Sequence, residues 1–205
     1  MNRFIPVVLT VLFAVAPLAA QGTAGWQVRV DRSTTASDPD AAGDIKFMAM
    51  GSGFHAVNPQ AAVYWKPADT ATGSYSLSGQ FTQLKLSDHT NYFGLVFGGS
   101  DLGGAQQAYT YFMVAQDGTF LIKQRNGANT QDVAASQASP AVRRPNADGR
   151  SANTLTVRVT ADTIVYSVNG TTVHTTPKTG VTTNGAYGFR INHRLEVQVD
   201  NFGVS

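Results

Sequence analysis

Tyr109 and Tyr111, Lys123 and Arg125, and Arg190 and Asn192 form three i, i+2 pairs in three separate segments. Residues two apart in an extended chain point to the same side. Each pair therefore offers one face an aromatic, cationic or amide group. Gathered on one sheet, such groups suit a polyhydroxylated ligand, because rings pack on C–H surfaces while guanidinium and amide groups bond hydroxyls. The same pattern also describes the ordinary solvated face of an antiparallel sheet, and the residues alone leave both readings open.

Acid–base chemistry has fewer candidates. Glu196 is the only glutamate, and with His193 and Asp200 it makes the one constellation that resembles a catalytic set. Glycoside cleavage uses carboxyl pairs roughly 5–9.5 Å apart, whereas positions i and i+4 on a strand lie about 13 Å apart. Glu196 and Asp200 do not meet that spacing by themselves. The absence of cysteine removes a thiol nucleophile, and no G-x-S-x-G elbow supports a serine triad. His55, His89, His174 and His193 are far apart in sequence, without an H-E-x-x-H pattern, so zinc has no motif here. Whether the chain is an enzyme stays open.

The Gly-rich stretch "FGGSDLGGAQQAYTYFMV" invites a phosphate-cradle reading, which needs a helix after the glycines. The residues after the glycines alternate as a strand, so that reading is excluded. A calcium site is the metal option left, with Asp101 joined by Asp88 or Asp117 from neighbouring loops as hard oxygen ligands. The competing reading is a plain connection between strands. No other cofactor is indicated.

The elements that must position these residues are strands. Apolar and polar residues alternate over 26–30, 75–86, 92–98, 108–115, 119–125, 154–160, 163–168, 171–176, 186–192 and 195–202, with weaker runs at 45–50 and 61–65. Asp117-Gly118 and Asn169-Gly170 predict two-residue type I′ hairpins. A further hairpin around His193-Arg194 would place Arg190, Asn192, Glu196, Gln198 and Asp200 on one outward face. The segment 126–152 reads as a long loop, with a short helix over 133–138 and a lid role as options. Many short strands between turn signals indicate an all-β, two-sheet antiparallel sandwich or jelly roll.

Address and partners are read from composition. Residues 1–20 combine Arg3, an apolar run and the small residues before Gln21, the pattern of a secretory signal peptide cut after Ala20. A single sandwich domain over 21–205 is expected, exported to the periplasm or the extracellular space, with no transmembrane segment after cleavage. Removing Arg3 from 15 basic residues leaves 14 against 13 acidic ones, a net charge of 15 − 1 − 13 = +1. That balance, with no basic face, argues against nucleic acid as a partner.

The string "YFGLVFGGSDLGGAQQAYTYFMVAQDGTFLIKQR", with "LTVRV", "VNG" and "GFRINHRLEVQVDNF", resembles secreted bacterial proteins of the concanavalin A-like lectin/glucanase class. It is similar in particular to 3-keto-disaccharide hydrolase domains and to laminin-G-like jelly rolls. The likeness spans about Val63 to Phe202 and rests on V-N-G, G-x-R-x-N-H and D-N-F signatures. It implies a jelly roll whose concave face handles a carbohydrate or glycoside. The activities it allows run from binding module to 3-keto-disaccharide hydrolase to a non-catalytic envelope protein. It places the first residues of interest on the strands of Tyr109, Tyr111, Arg190 and Asn192.

Overall fold

The computed structural model describes residues 23–205, so the signal-peptide segment lies outside the described residues. Fourteen strands occur in the order β1 (Gln27–Asp31), β2 (Lys46–Met50), β3 (Gly53–Asn58), β4 (Ala61–Ala71), β5 (Tyr75–Gln83), β6 (Tyr92–Ser100), β7 (Ala108–Ala115), β8 (Thr119–Asn126), β9 (Asn129–Ala138), β10 (Ser151–Val159), β11 (Thr163–Val168), β12 (Thr171–Pro177), β13 (Gly185–Ile191) and β14 (Leu195–Val204). They build two seven-stranded sheets. Sheet I has the order β1-β4-β13-β6-β7-β8-β9 and sheet II the order β12-β11-β10-β5-β14-β3-β2. Every pairing is antiparallel. The expected all-β sandwich is the observed fold.

Alternation explains the core. Leu77 and Phe81 of β5, Leu155 and Val157 of β10, and Val197 and Val199 of β14 point inward from sheet II. They meet Tyr64, Phe93, Leu95, Phe112, Phe189 and Ile191 from sheet I. Each such side chain contributes about 1.5–3 kcal/mol when fully buried, which suits a chain that has no disulfide to rely on. One end of the core is aromatic: Trp26 packs on Phe54 at 4.8 Å and Phe189 stacks on Tyr64 at 5.0 Å. The Tyr64 hydroxyl donates to Asn58 Oδ1 (2.6 Å), and Asn58 Nδ2 donates to the Ile191 carbonyl (3.2 Å), pinning the β3–β4 corner to β13.

Three expectations are corrected. The strands on either side of His193-Arg194 do not form a hairpin. β13 pairs with β4 and β6, while β14 pairs with β3 and β5. Arg194, at φ 57°, helps turn the chain from one sheet to the other. Alternation fixes which side chains share a side of a strand, but not which strand lies next to it.

The segment expected as a loop with a short helix contains β9, the edge strand of sheet I. Only Ala134 of β9 is buried, so no hydrophobic period advertised it. The Asp117-Gly118 turn is also longer than predicted. Residues 116–118 connect β7 to β8, only Gly118 is left-handed (φ 86°), and Asp117 Oδ1 accepts from the Thr119 amide at 3.0 Å. That is the three-residue hairpin loop, a type I turn closed by a left-handed glycine. Asn169 (φ 51°) and Gly170 (φ 80°) do form the left-handed pair required of a type I′ turn.

Candidate functional site

Sheet I carries a second apolar cluster on its outer face, made of Val63, Trp65, Val96, Leu102, Tyr109, Tyr111, Met113 and Leu121. Its position comes from strands that are apolar on both sides, such as β7, whose Thr110, Phe112 and Val114 face the other way. Across the sheet the register runs Arg29–Val63–Arg190–Gly94–Met113–Leu121. Because Phe189 and Ile191 enter the core, Arg190 must leave on the outer face. Its neighbour on β6 is Gly94, where a Cβ would strike the Phe112 carbonyl of β7, so the close approach of the two strands requires glycine there.

Arg190 is the centre of a polar network set into this apolar face. Its Nη1 donates to Asp31 Oδ2 and, at 3.2 Å, to the Tyr109 hydroxyl, while Nε donates to Asn192 Oδ1 at 3.0 Å. Asp31 Oδ1 also accepts from Arg29 Nε at 2.9 Å, and Arg29 Nη1 donates to the Gly104 carbonyl. Tyr109 lies opposite a bulge in β6, where Gly98 adopts φ 63°. A Cβ at Gly98 would strike the Thr182 carbonyl, so the bulge requires glycine.

The charges in this network are set by their neighbours. Burial pushes the Asp31 carboxyl up, but the Arg190 charge and hydrogen bonds from Arg190 and Arg29 outweigh it and hold the group below its ordinary value. Burial opposes the Arg190 charge, and the Asp31 carboxylate that it pairs with more than compensates, so the guanidinium stays ionised. The Tyr111 phenol is raised, chiefly by burial.

Five of the six expected ligand-contacting residues, Tyr109, Tyr111, Lys123, Arg125 and Arg190, share this face by register. Asn192, just past β13, is bonded to Arg190. They differ in access. Tyr109 is 1% exposed, Tyr111 7% and Arg190 8%, so these three form the foundation of the site. Lys123, Arg125 and Asn192 are half-buried and reach its rim. Lys123 Nζ pairs with Asp132 at 3.1 Å. Arg125 Nη1 donates to the Gly127 carbonyl at 3.3 Å, and its buried Nε has no partner within the described residues. Beside Arg125 lies a cavity of about 380 Å³, lined also by Gln124, Asn126, Thr130, Gln131 and Thr182.

Sequence reasoning missed Arg29, Asp31, Trp65 and Asp132. Arg29 lies in the expected strand 26–30 and Asp31 one residue past its end, two positions on, which is the one signal that pointed to them. The remaining candidates lie elsewhere. Glu196 is on the outer face of sheet II, paired with His55 Nε2 at 3.0 Å and Lys85 Nζ at 2.9 Å. Those hydrogen bonds, led by that of Lys85, hold its carboxyl below the ordinary value against the opposing effect of burial. Asp200 lies on the same strand, in register with Gln80.

The three aspartates considered for calcium are not brought together. Asp88 pairs with Arg194 at 2.8 Å, Asp101 Oδ2 accepts from the Gln106 amide at 2.9 Å, and Asp117 closes its own turn. The Gly-rich stretch of β6 and the loop after it is therefore a bulge and a turn, with Leu102 tucked into the outer apolar cluster. A different set does meet. His89 and His193, expected to be apart, lie with ring centroids 5.5 Å from one another. Both Nε2 atoms approach Asp38 Oδ1, at 2.8 and 2.7 Å.

No protein-family model matches the chain, and no curated protein does. Solved structures do. A carbohydrate-binding module from Bacillus subtilis superposes with a TM-score of 0.63 at 9% identity, over 88% of this chain and 95% of that one. An endo-β-1,3-glucanase from Pyrococcus furiosus gives 0.54 at 10% identity, over 77% and 76%. The carbohydrate recognition domain of Emp46p gives 0.54 at 10% identity, over 89% and 88%. At these identities the likeness is one of fold.

Proposed function

We propose that the chain is an exported carbohydrate-binding sandwich whose ligand lies on the outer face of sheet I. The observation that carries this is the buried Arg190–Asp31–Tyr109–Asn192 network, built into an apolar, aromatic sheet face that borders half-exposed Lys123 and Arg125. Burying a charge pair is expensive unless each partner is bonded, and here the network also holds Asn192 in place beside the rim. Lys123, Arg125, Asp132 and Asn192 then present charged and amide groups to sugar hydroxyls over a rigid floor. Sandwiches of the same fold include a carbohydrate-binding module and a carbohydrate recognition domain, which supports the class of ligand. The expected N-terminal signal supports action in the periplasm or outside the cell.

Glycoside cleavage, including cleavage of 3-keto-disaccharides, has less support, because Glu196 and Asp200 belong to the opposite sheet from Arg190. A glycan array followed by calorimetry tests the proposal. An oligosaccharide is expected to bind, and Lys123→Ala combined with Arg125→Ala is expected to weaken it at least 10-fold with the melting temperature little changed. Unchanged affinity in that double variant would overturn the site. Failure of every glycan to bind would favour a non-catalytic envelope protein, and release of a smaller sugar that stops in Glu196→Gln would establish the hydrolase.

A further inference from the structure

We propose that His89, His193 and Asp38 form a binding site for a divalent transition-metal cation of the zinc type, at the end of the sandwich where the chain crosses from sheet I to sheet II. The ligands come from three separate segments: the loop after β1, the connection before β6, and the turn between β13 and β14. One ligand atom from each lies within 4.8 Å of the others. Zinc bonds to imidazole nitrogen and carboxylate oxygen at about 2.0–2.2 Å in tetrahedral geometry, which sets neighbouring ligand atoms about 3.3 Å apart. The two Nε2 atoms lie 2.8 and 2.7 Å from Asp38 Oδ1, so opening these separations by about half an ångström would admit the ion. Asp38 is 40% exposed on its side chain, which leaves room for water as a fourth ligand.

Asp40 provides the independent observation. Its Oδ1 is buried and lacks a hydrogen-bond partner, yet it lies 3.7 Å from His193 Nδ1. If both histidines use an Nε2 proton to bond Asp38, neutral His193 turns a lone pair at Nδ1 toward that carboxylate oxygen. An ion at Nε2 reverses this. The imidazole then carries its proton on Nδ1 and directs it to Asp40, the carboxylate–histidine–metal relay common around bound metals. Asn91, buried beside His89 with its amide 3.3 Å from Nδ1, serves the second ring equally well. An amide rotation presents its oxygen to an Nδ1 proton.

Two histidines with one carboxylate are an N/O donor set suited to zinc and its neighbours in the transition series rather than to calcium. The ion would staple the 33–44 loop to both sheets in a protein without disulfides.

The test uses the untagged full chain, stripped with a chelator and titrated with zinc chloride by calorimetry, with a thermal melt in parallel. One zinc per chain and a higher melting temperature are expected. His89→Ala should abolish both, and Asp40→Asn should weaken binding about 10–100-fold. His55→Ala, which removes the histidine paired with Glu196 on the other face, should leave binding intact. Circular dichroism checks each fold, and Asp38→Asn replaces His89→Ala if the latter fails to fold. No stoichiometric uptake, uptake unchanged in His89→Ala or in its Asp38→Asn replacement, or uptake of calcium in place of zinc would overturn the site.

Discussion

On the outer face of sheet II, Ser76, Ser78, Gln80 and Thr82 of β5 run beside Thr154, Thr156 and Arg158 of β10, all partly or fully exposed. The matching face of sheet I has Val96, Tyr109, Tyr111, Met113 and Leu121, with the Arg190–Asp31 pair among them. The first is the usual half-wet side of an antiparallel sheet. The second is packed like an interior, with a charge pair where an interior would have none. Strand alternation alone produces the first kind of face, whereas the second requires that β4, β6 and β7 be apolar on both sides. A binding surface is best sought where a sheet departs from its default, and sheet I is where this one does.

Substitutions on the two faces sharpen that contrast. The largest effect is expected for Arg190→Ala, which leaves Asp31 with its main partner gone. Urea denaturation should show a loss of about 3–5 kcal/mol, and pairing Arg190→Met with Asp31→Leu should recover most of it. Next, Met113→Ala should cost about 2 kcal/mol or more through the cavity it leaves. Thr156→Ala on sheet II should stay within about 0.5 kcal/mol. Equal costs for these two would erase the distinction between the faces.

Acid offers a third test. The Asp31 carboxyl is held below its ordinary 3.8, so its contribution is present above that value and disappears as pH falls through the lower, folded one. Stability followed against pH should therefore fall less steeply below about pH 4 in Asp31→Asn than in the parent. Glu196→Gln, whose ion pairs are partly solvated, should cost little, about 1 kcal/mol or less in the same urea titration.

Much of this was legible in the residues. Alternation located most of the strands, and the two-sheet class came with them. Tyr109, Tyr111, Lys123, Arg125 and Arg190 were assigned to one face because side-chain parity is local. Adjacency, by contrast, needed the folded chain. Glu196 was grouped with Arg190 because a hairpin is the default for consecutive strands, but the turn at Arg194 sends them to different sheets. Asp31 was one aspartate among several until β1 took its place at the edge of sheet I. His193 and Asp38, 155 positions apart, share no spacing that a motif could encode. The near-total burial of Tyr109 was also invisible, since it belongs to a cluster completed by Leu102 from the loop after β6.

The placement of β13 and β14 has a consequence for how the chain reaches its native form. β13 separates β1-β4 from β6-β7-β8-β9, and β14 separates β12-β11-β10-β5 from β3-β2. Until the last two strands are available, each sheet exists only as two pieces with open edges that lack their common partner. Cotranslational folding therefore has no stable halfway structure to stop at, and such non-local pairing makes for slow closure. A chain truncated before Gly185 would hold nearly all the strands and neither complete sheet, and limited proteolysis should cut it far faster than the full chain.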